Sequence, residues 1–248
     1  MASPSLTARL PHIAGLQCVV CGQQYDLDDV TYTCPDCGEV GTLDVVYHAP
    51  QQRVVPEGPL TLWRQRGLLP LVDAPLAGLQ TLGGTPLVGY AALQHLAAEV
   101  GVAGLCIKND GLLLTGSLKD RASSMVVQHA VSNLEKHTIA TASTGNAAAA
   151  LAGCCAAVPE AAAVIFVPAT APQAKIAQML IFGARVILVD DDYDTAFDLC
   201  SQACEAFNWY NRSTGINPFT TEGKKTVIFE VAEQLDWQMP DVIMVSIG

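Results

Sequence analysis

From about position 104 onward the chain alternates short β-rich runs with alanine-rich helical stretches, and few folds accept that order. The runs cover residues 104–108, 138–141, 162–167, 185–189 and 241–246, and the candidate helices cover 117–134, 146–157, 173–181, 193–207 and 222–235. Strands separated by single helices and short turns pair in parallel, with helices on both faces. The predicted fold class is therefore α/β with a doubly wound parallel sheet. Ligands in such sheets bind beyond the carboxyl ends of the strands, in the loops that open the following helices.

Two of these loops carry unusual residues. The first is Thr115-Gly116-Ser117-Leu118-Lys119-Asp120-Arg121. Ser117 and Asp120 have the spacing of a capping box, with aspartate in place of glutamate, which puts Lys119 on the first turn of a helix. The positive end of a helix disfavours a protonated amine. A neutral lysine amine forms Schiff bases with carbonyl compounds. The plainer alternative is a helix-start lysine paired with Asp120 or a downstream acid. The second loop, Ser143-Thr144-Gly145-Asn146, follows one strand later. Read alone it is an ordinary N-cap, but a helix N-terminus with small residues is also an anion site.

The amino-terminal region is of a different kind. Cys18-x-x-Cys21-Gly22 and Cys34-Pro35-Asp36-Cys37-Gly38 are separated by twelve residues. Two such knuckles bring four thiolates around one tetrahedral zinc, leaving no open coordination position, so the predicted zinc is structural. A metal-free ribbon and a redox pair are the alternatives. Such a metal would hold a module too small to bury a core of its own.

Composition bounds the partners. The 248 residues are 50% apolar and 15% charged with a formal charge of −11, which argues against nucleic acid and anionic membranes as partners. No apolar run reaches membrane-spanning length, and residues 1–17 lack a basic segment followed by a continuous apolar one. Nine cysteines, four at metal spacing and the rest in apolar segments, fit a reducing cytoplasm. Residues 1–17 read as a loose lead and 18–46 as a small cysteine-paired unit. Six prolines fall between positions 50 and 86, so 47–85 reads as an extended connector wrapping the main domain. The run 241–246 reads as a buried strand entering a glycine turn at Gly248, and the expectation is a chain cut short there. His129, His137 and the tryptophans have no chemical context and read as structural.

With these motifs in place, the chain resembles the fold-type II pyridoxal-phosphate enzymes and, within them, the threonine synthases. The resemblance runs from the cysteine ribbon to Gly248. It rests chiefly on residues 115–121 and 142–146, on Asn217-Pro218-Phe219, and on Glu222-Gly223-Lys224-Lys225-Thr226. Gly84-Thr85-Pro86-Leu87, Phe166-Val167-Pro168, Lys175 and Phe182-Gly183-Ala184 also match. It implies that Lys119 holds pyridoxal phosphate covalently and that Asn146 hydrogen-bonds the cofactor's 3′-oxygen. Ser143, Thr144 and Gly145 would take the substrate carboxylate, with Thr85 as a further substrate contact. The glycine loop for the cofactor phosphate would begin at about Ser246, with Gly248 as its first glycine, and the pyridine-nitrogen partner would lie farther on. Leu113-Leu114 stand where the family usually has Asn-Pro, in a loop near the substrate.

The implied organisation is a lead and zinc ribbon over 1–46, then a catalytic region over 47–248, incomplete at its end, with a mobile small subdomain at about 117–205. The implied reaction converts O-phosphohomoserine and water to threonine and phosphate in a cytoplasmic homodimer with a small amino-acid substrate. Two alternatives stay open. One is another enzyme of the same fold type (a serine/threonine dehydratase, cysteate synthase or ammonia-lyase). The other is a degenerate, non-catalytic binding module.

Overall fold

The computed structural model describes residues 4–49, 56–89 and 93–245. A short helix α1 (Leu6–Arg9) opens the chain, capped by the Ser5 hydroxyl, which accepts from the Ala8 N–H at 3.2 Å. The Asp28 carboxylate accepts from the N–H groups of Leu6 and Thr7 and fixes this helix on the ribbon. Strands β1 (Ile13–Cys18), β2 (Gln24–Tyr25) and β3 (Leu43–Tyr47) form an antiparallel sheet in the order β2-β1-β3. The expectation of a loose lead through residue 17 is thus corrected: Ile13, Leu16 and Cys18 are buried and make β1 the central strand.

Just after the connector come β4 (Leu87–Val88) and then α2 (Gln94–Glu99); positions 50–55 and 90–92 lie outside the described residues. The run predicted as a strand of the main sheet at 104–108 supplies only β5 (Ile107–Lys108), which pairs antiparallel with β4. The reason is polar: the Lys108 ammonium is held by the Thr85 carbonyl and the Glu230 carboxylate, which keeps this segment beside β4.

The core of the chain follows. Helix α3 (Lys119–Gln128) passes into a π-helical turn (His129–Asn133). Then come β6 (Thr138–Ala142), α4 (Asn146–Ala156), β7 (Ala162–Pro168), α5 (Gln173–Ile181), β8 (Arg185–Val189), α6 (Tyr193–Phe207), β9 (Tyr210–Asn211) and α7 (Phe219–Gln234). The four strands are parallel in the order β8-β7-β6-β9. Period-two alternation sorts their side chains between two cores. Ile139, Ile165 and Val167 face a large cluster with Met125, Val126 and Leu151, and that cluster continues into Leu16 and Leu43 of the ribbon. Ala140, Val164 and Phe166 face Ala196, Cys200 and Cys204 of α6.

β9 escaped sequence reading because two residues carry no period. It matters, since β6, β7 and β8 step one way across the sheet and β9 returns to the other side of β6. The switch point therefore lies between β6 and β9. The predicted strand at 241–246 is not formed over its described part. Residues 241–245 pair with no strand, and Val242 and Met244 are exposed, because an apolar run becomes a strand only where a neighbour offers its backbone groups. Ser246 and Gly248 lie outside the described residues. No helix among the described residues is long and apolar enough to cross a membrane.

Candidate active site and metal centre

Three segments are tied together around β6 by the residues that follow β9. The first is the start of α3. Lys119 is its first residue and is half-buried. The expected capping box is only partly realised: the Ser117 hydroxyl accepts from the N–H of Lys119 at 3.2 Å rather than from Asp120. The Asp120 carboxylate turns back to accept from the backbone N–H and the hydroxyl of Thr115, at 2.7 and 2.5 Å. Burial pushes the Asp120 carboxyl up, against the hydrogen bonds it receives from Thr115. The effect is to close residues 115–120 into a tight loop in front of the lysine. Leu113 anchors that loop in the core, and Leu114 and Thr115 lie against Gly153 of α4, where any side chain would collide with the Thr115 methyl.

The second segment is the β6–α4 loop. The Ser143 N–H donates to the Phe166 carbonyl, and the Ser143 hydroxyl accepts from the Gly145 N–H, both at 3.2 Å. Gly145 caps α4, and a Cβ placed on it would meet nothing within 4 Å, so the loop faces open space at a helix N-terminus. Asn146 is exposed at the first turn. Its carboxamide oxygen accepts from the Lys175 ammonium at 2.7 Å, and its amide nitrogen has no partner among the described residues.

The third segment follows β9. The Arg212 N–H donates to the Ala140 carbonyl at 2.8 Å, the Ser213 hydroxyl accepts from the Ala142 N–H, and the Arg212 Nε donates to the Ser123 hydroxyl at 3.1 Å. Ser123 lies four residues after Lys119, on the same face of α3.

Behind the lysine lies a buried ion network of which only Thr85 and Arg121 stood in the motifs. Arg121 grips Asp110 with Nε and Nη2 at 2.7 and 2.9 Å, and Glu230 with Nη1 and Nη2 at 2.6 and 3.0 Å. Lys108 adds a 2.6 Å contact to Glu230. Burial alone would push the Glu230 carboxyl up, but Arg121 and Lys108 outweigh it and hold it below its ordinary value; Asp110 behaves likewise through Arg121. Thr85 is here, not beside Ser143: its hydroxyl donates to Asp110 at 2.7 Å and its carbonyl accepts from Lys108 and Gln234. An arginine two residues after the lysine, among Ala122 and Met125, was the signal for a buried guanidinium. His129 is buried too and stacks on Phe219 at 3.6 Å, with burial holding its pKa down to about 3.

The cysteine knuckles form a cluster of the right size for a tetrahedral ion. The sulfurs of Cys18, Cys21, Cys34 and Cys37 all lie within 4.8 Å of one another, with Cys21 and Cys34 at 3.8 Å. Four thiolates about 2.3 Å from one zinc ion would stand roughly 3.8 Å apart. Gly22 and Gly38 adopt left-handed φ angles of 75° and 64° after the second cysteine of each knuckle, a conformation that glycine alone takes without penalty. Gly41 has no room for a side chain, since a Cβ there would stand 2.6 Å from Cys37 and 2.8 Å from Cys34. The Tyr25 hydroxyl holds the Cys34 thiol down to about 6, while its neighbour Cys21 pushes Cys37 up to about 12. Four thiols this close ionise together only with a cation between them.

Comparison with known proteins shows the family. Residues 79–248 match the family described as "Pyridoxal-phosphate dependent enzyme". The threonine synthase of Methanosarcina acetivorans is 37% identical over 94% of this chain and 56% of its own length. That of Methanocaldococcus jannaschii is 34% identical over 94% of this chain and 57% of its own. The chain thus spans little more than half the length of these relatives. Among solved structures, cysteine synthase from Entamoeba histolytica superposes with a TM-score of 0.56 over 79% of this chain and 54% of its own, at 20% identity, a likeness of fold. With its parallel α/β sheet, its lysine at the start of α3 and a family match over most of its length, this chain belongs to the pyridoxal-phosphate dependent enzymes, in their fold-type II architecture.

Proposed function

We propose that this chain carries the lysine half of a threonine synthase-like lyase, acting on O-phosphohomoserine and water to give threonine and phosphate. The observation that carries the reading is that Arg212 and Ser213 hydrogen-bond to the end of β6, just before the Ser143–Asn146 loop, while Arg212 also bonds Ser123, one turn along α3 from Lys119, in a chain 37% identical to a threonine synthase. Lys119 would hold pyridoxal phosphate covalently, and Asn146 would donate its free amide N–H to the ring's 3′-oxygen. Ser143, Thr144 and Gly145 would bind the substrate carboxylate with backbone and hydroxyl donors, aided by the α4 N-terminus. Thr85 would touch substrate only by giving up its bond to Asp110. Gly248 would open the phosphate loop.

When bound, the cofactor supplies an electron sink for negative charge at the substrate α-carbon. The Lys119 amine would take the α-proton and move further protons during phosphate elimination. The Asp120–Thr115 clasp holds its helix start in place.

The zinc of Cys18, Cys21, Cys34 and Cys37 is read as structural. The reading also includes a ribbon unit over 1–46, a mobile subdomain at about 117–205, a homodimeric assembly and a cytoplasmic setting. The acidic charge of −11 supports an enzyme without nucleic-acid or membrane partners.

Reconstitution with pyridoxal phosphate gives a visible absorbance band, and borohydride fixes the cofactor on Lys119. Phosphate release from O-phosphohomoserine is expected from protein extended by the downstream sequence of its relatives, and Lys119→Ala abolishes both labelling and turnover. Label found on Lys108, Lys175 or Lys224 overturns the assignment, and ammonia release from serine or threonine with no phosphate release overturns the reaction.

A further inference from the structure

A cavity of about 530 Å³ lies between the ribbon and α6. It opens at the amino ends of the parallel strands, since Lys136 stands two residues before β6 and Trp209 immediately before β9. The Ser143–Asn146 loop leaves β6 at its carboxyl end, so the cavity is separate from the lysine site. Its volume is in the range of small-molecule sites.

The end of α6 builds the aromatic wall. Asn208 takes a left-handed φ of 55° and stops the helix, and the Trp209 N–H turns back to the Cys204 carbonyl at 3.0 Å. The Trp209 ring lies 5.0 Å from Phe207, and it packs with Phe197 against the core that holds Cys200 and Cys204. Tyr32 closes the ribbon side. Its hydroxyl accepts from the Asn211 N–H at 2.8 Å, which leaves its own proton without an acceptor among the described residues.

The same cavity carries charges of both signs. Glu39 of the ribbon and Glu205 of α6 line it, and neither has an ion pair among the described residues. Glu205 stands in the last turn of α6, where the negative end of the helix disfavours a carboxylate that has no cation. The Lys136 ammonium is fixed by the Asn208 carboxamide oxygen at 2.9 Å and likewise makes no ion pair among the described residues. Two carboxylates repel a phosphorylated ligand, and a simple cation would leave Lys136 unmatched.

We propose that this cavity binds a free α-amino acid with an apolar side chain. Its ammonium meets Glu39 and Glu205, its carboxylate meets Lys136, and its side chain packs against Phe197 and Trp209. Such a ligand bridges the ribbon to α6 and to the start of β9. The residues after β9, Arg212 and Ser213, brace β6, so occupancy stiffens the sheet behind the lysine loop.

The test titrates L-leucine into the 248-residue chain in a calorimeter and follows Trp209 by fluorescence. One saturable site is expected. Glu205→Gln and Lys136→Gln each remove one charge-assisted bond and are expected to weaken it about tenfold. Glu205 is exposed and Lys136 only half-buried, so both variants keep the fold. Isoamylamine and isocaproate each lack one of leucine's two charges, and both are expected to bind about tenfold more weakly or less. Ser143→Ala, which alters the loop beside the lysine, is expected to leave leucine binding unchanged. Absence of saturable binding, equal binding in wild type and the two charge variants, or isoamylamine binding as tightly as leucine overturns the site. Loss of leucine binding in Ser143→Ala overturns it too, by placing the amino acid at the lysine loop.

Discussion

Arg121 and Glu230 are 1% and 2% exposed, so their pairing is decided by desolvation. Two carboxylates and two cations share this site, and each charge is tolerable only while its partners remain. Glu230→Gln leaves Arg121 and Lys108 short of one negative charge, and unfolding by urea is expected to show a loss of about 3–5 kcal/mol. The sign of the pH dependence follows from depressed carboxyl values. Glu230 and Asp110 are held below their ordinary 4.5 and 3.8, so their contribution is complete above about pH 4.5 and disappears as pH falls through their lower folded-state values. Acid titration of stability should therefore be steeper below pH 4.5 in the wild type than in Glu230→Gln. Parallel acid limbs would show that the network contributes nothing through Glu230.

Helix α7 is the element on which the site depends. One stretch of it carries Glu230 and Thr226 to Arg121, and another carries Glu222 and Lys225 to Tyr47 of the ribbon. The Lys225 ammonium also sits 4.0 Å from the centre of the Tyr47 ring. Within the second stretch, Gly223 lets α7 approach α3 closely. A Cβ there would fall on the Arg121 carbonyl oxygen and within 2.8 Å of the Ala122 Cα. Backbone cannot yield as a side chain does, so Gly223→Ala must push the helices apart. The expected loss is about 1–3 kcal/mol, read as a lowered melting temperature. Gly89→Ala is the control, since a Cβ there meets nothing within 4 Å. Equal melting of the two variants would mean that the α3–α7 contact is looser than this packing implies.

At the scale of the molecule, one hydrophobic cluster runs from Leu16 and Leu43 of the ribbon to Met125 and Phe219 of the catalytic region. The ribbon is therefore a buttress of the α3–α7 pair as well as a metal module. About one zinc per chain is expected, bound through sulfur only. Cys34→Ser should release it, unravel residues 13–47 first, and then lower the melting temperature of the rest, because α7 loses the Tyr47 contact. Metal analysis that finds no zinc in the wild type, or full retention in Cys34→Ser, would remove the metal from this account.

The alternation of strand and helix from residue 138 to 207 was legible because each element is long enough to express its period; helices 173–181 and 193–207 and strand 185–189 fall where their periods end. The CxxC spacing likewise anticipated a four-sulfur cluster, since a knuckle is a local turn. The capping of Lys119 was legible in outline and wrong in detail: Asp120 chose the Thr115 amide over its own helix end. Strand β9, the antiparallel β4–β5 pair and the Arg121 network needed the tertiary structure. They join residues up to 149 positions apart, through hydrogen bonds whose worth depends on burial. Local sequence thus determined the elements from residue 138 to 207 and that a lysine opens α3. Only folding decided which charges lose water together, and therefore that Arg121 is paired twice while Arg212 keeps an unfilled N–H.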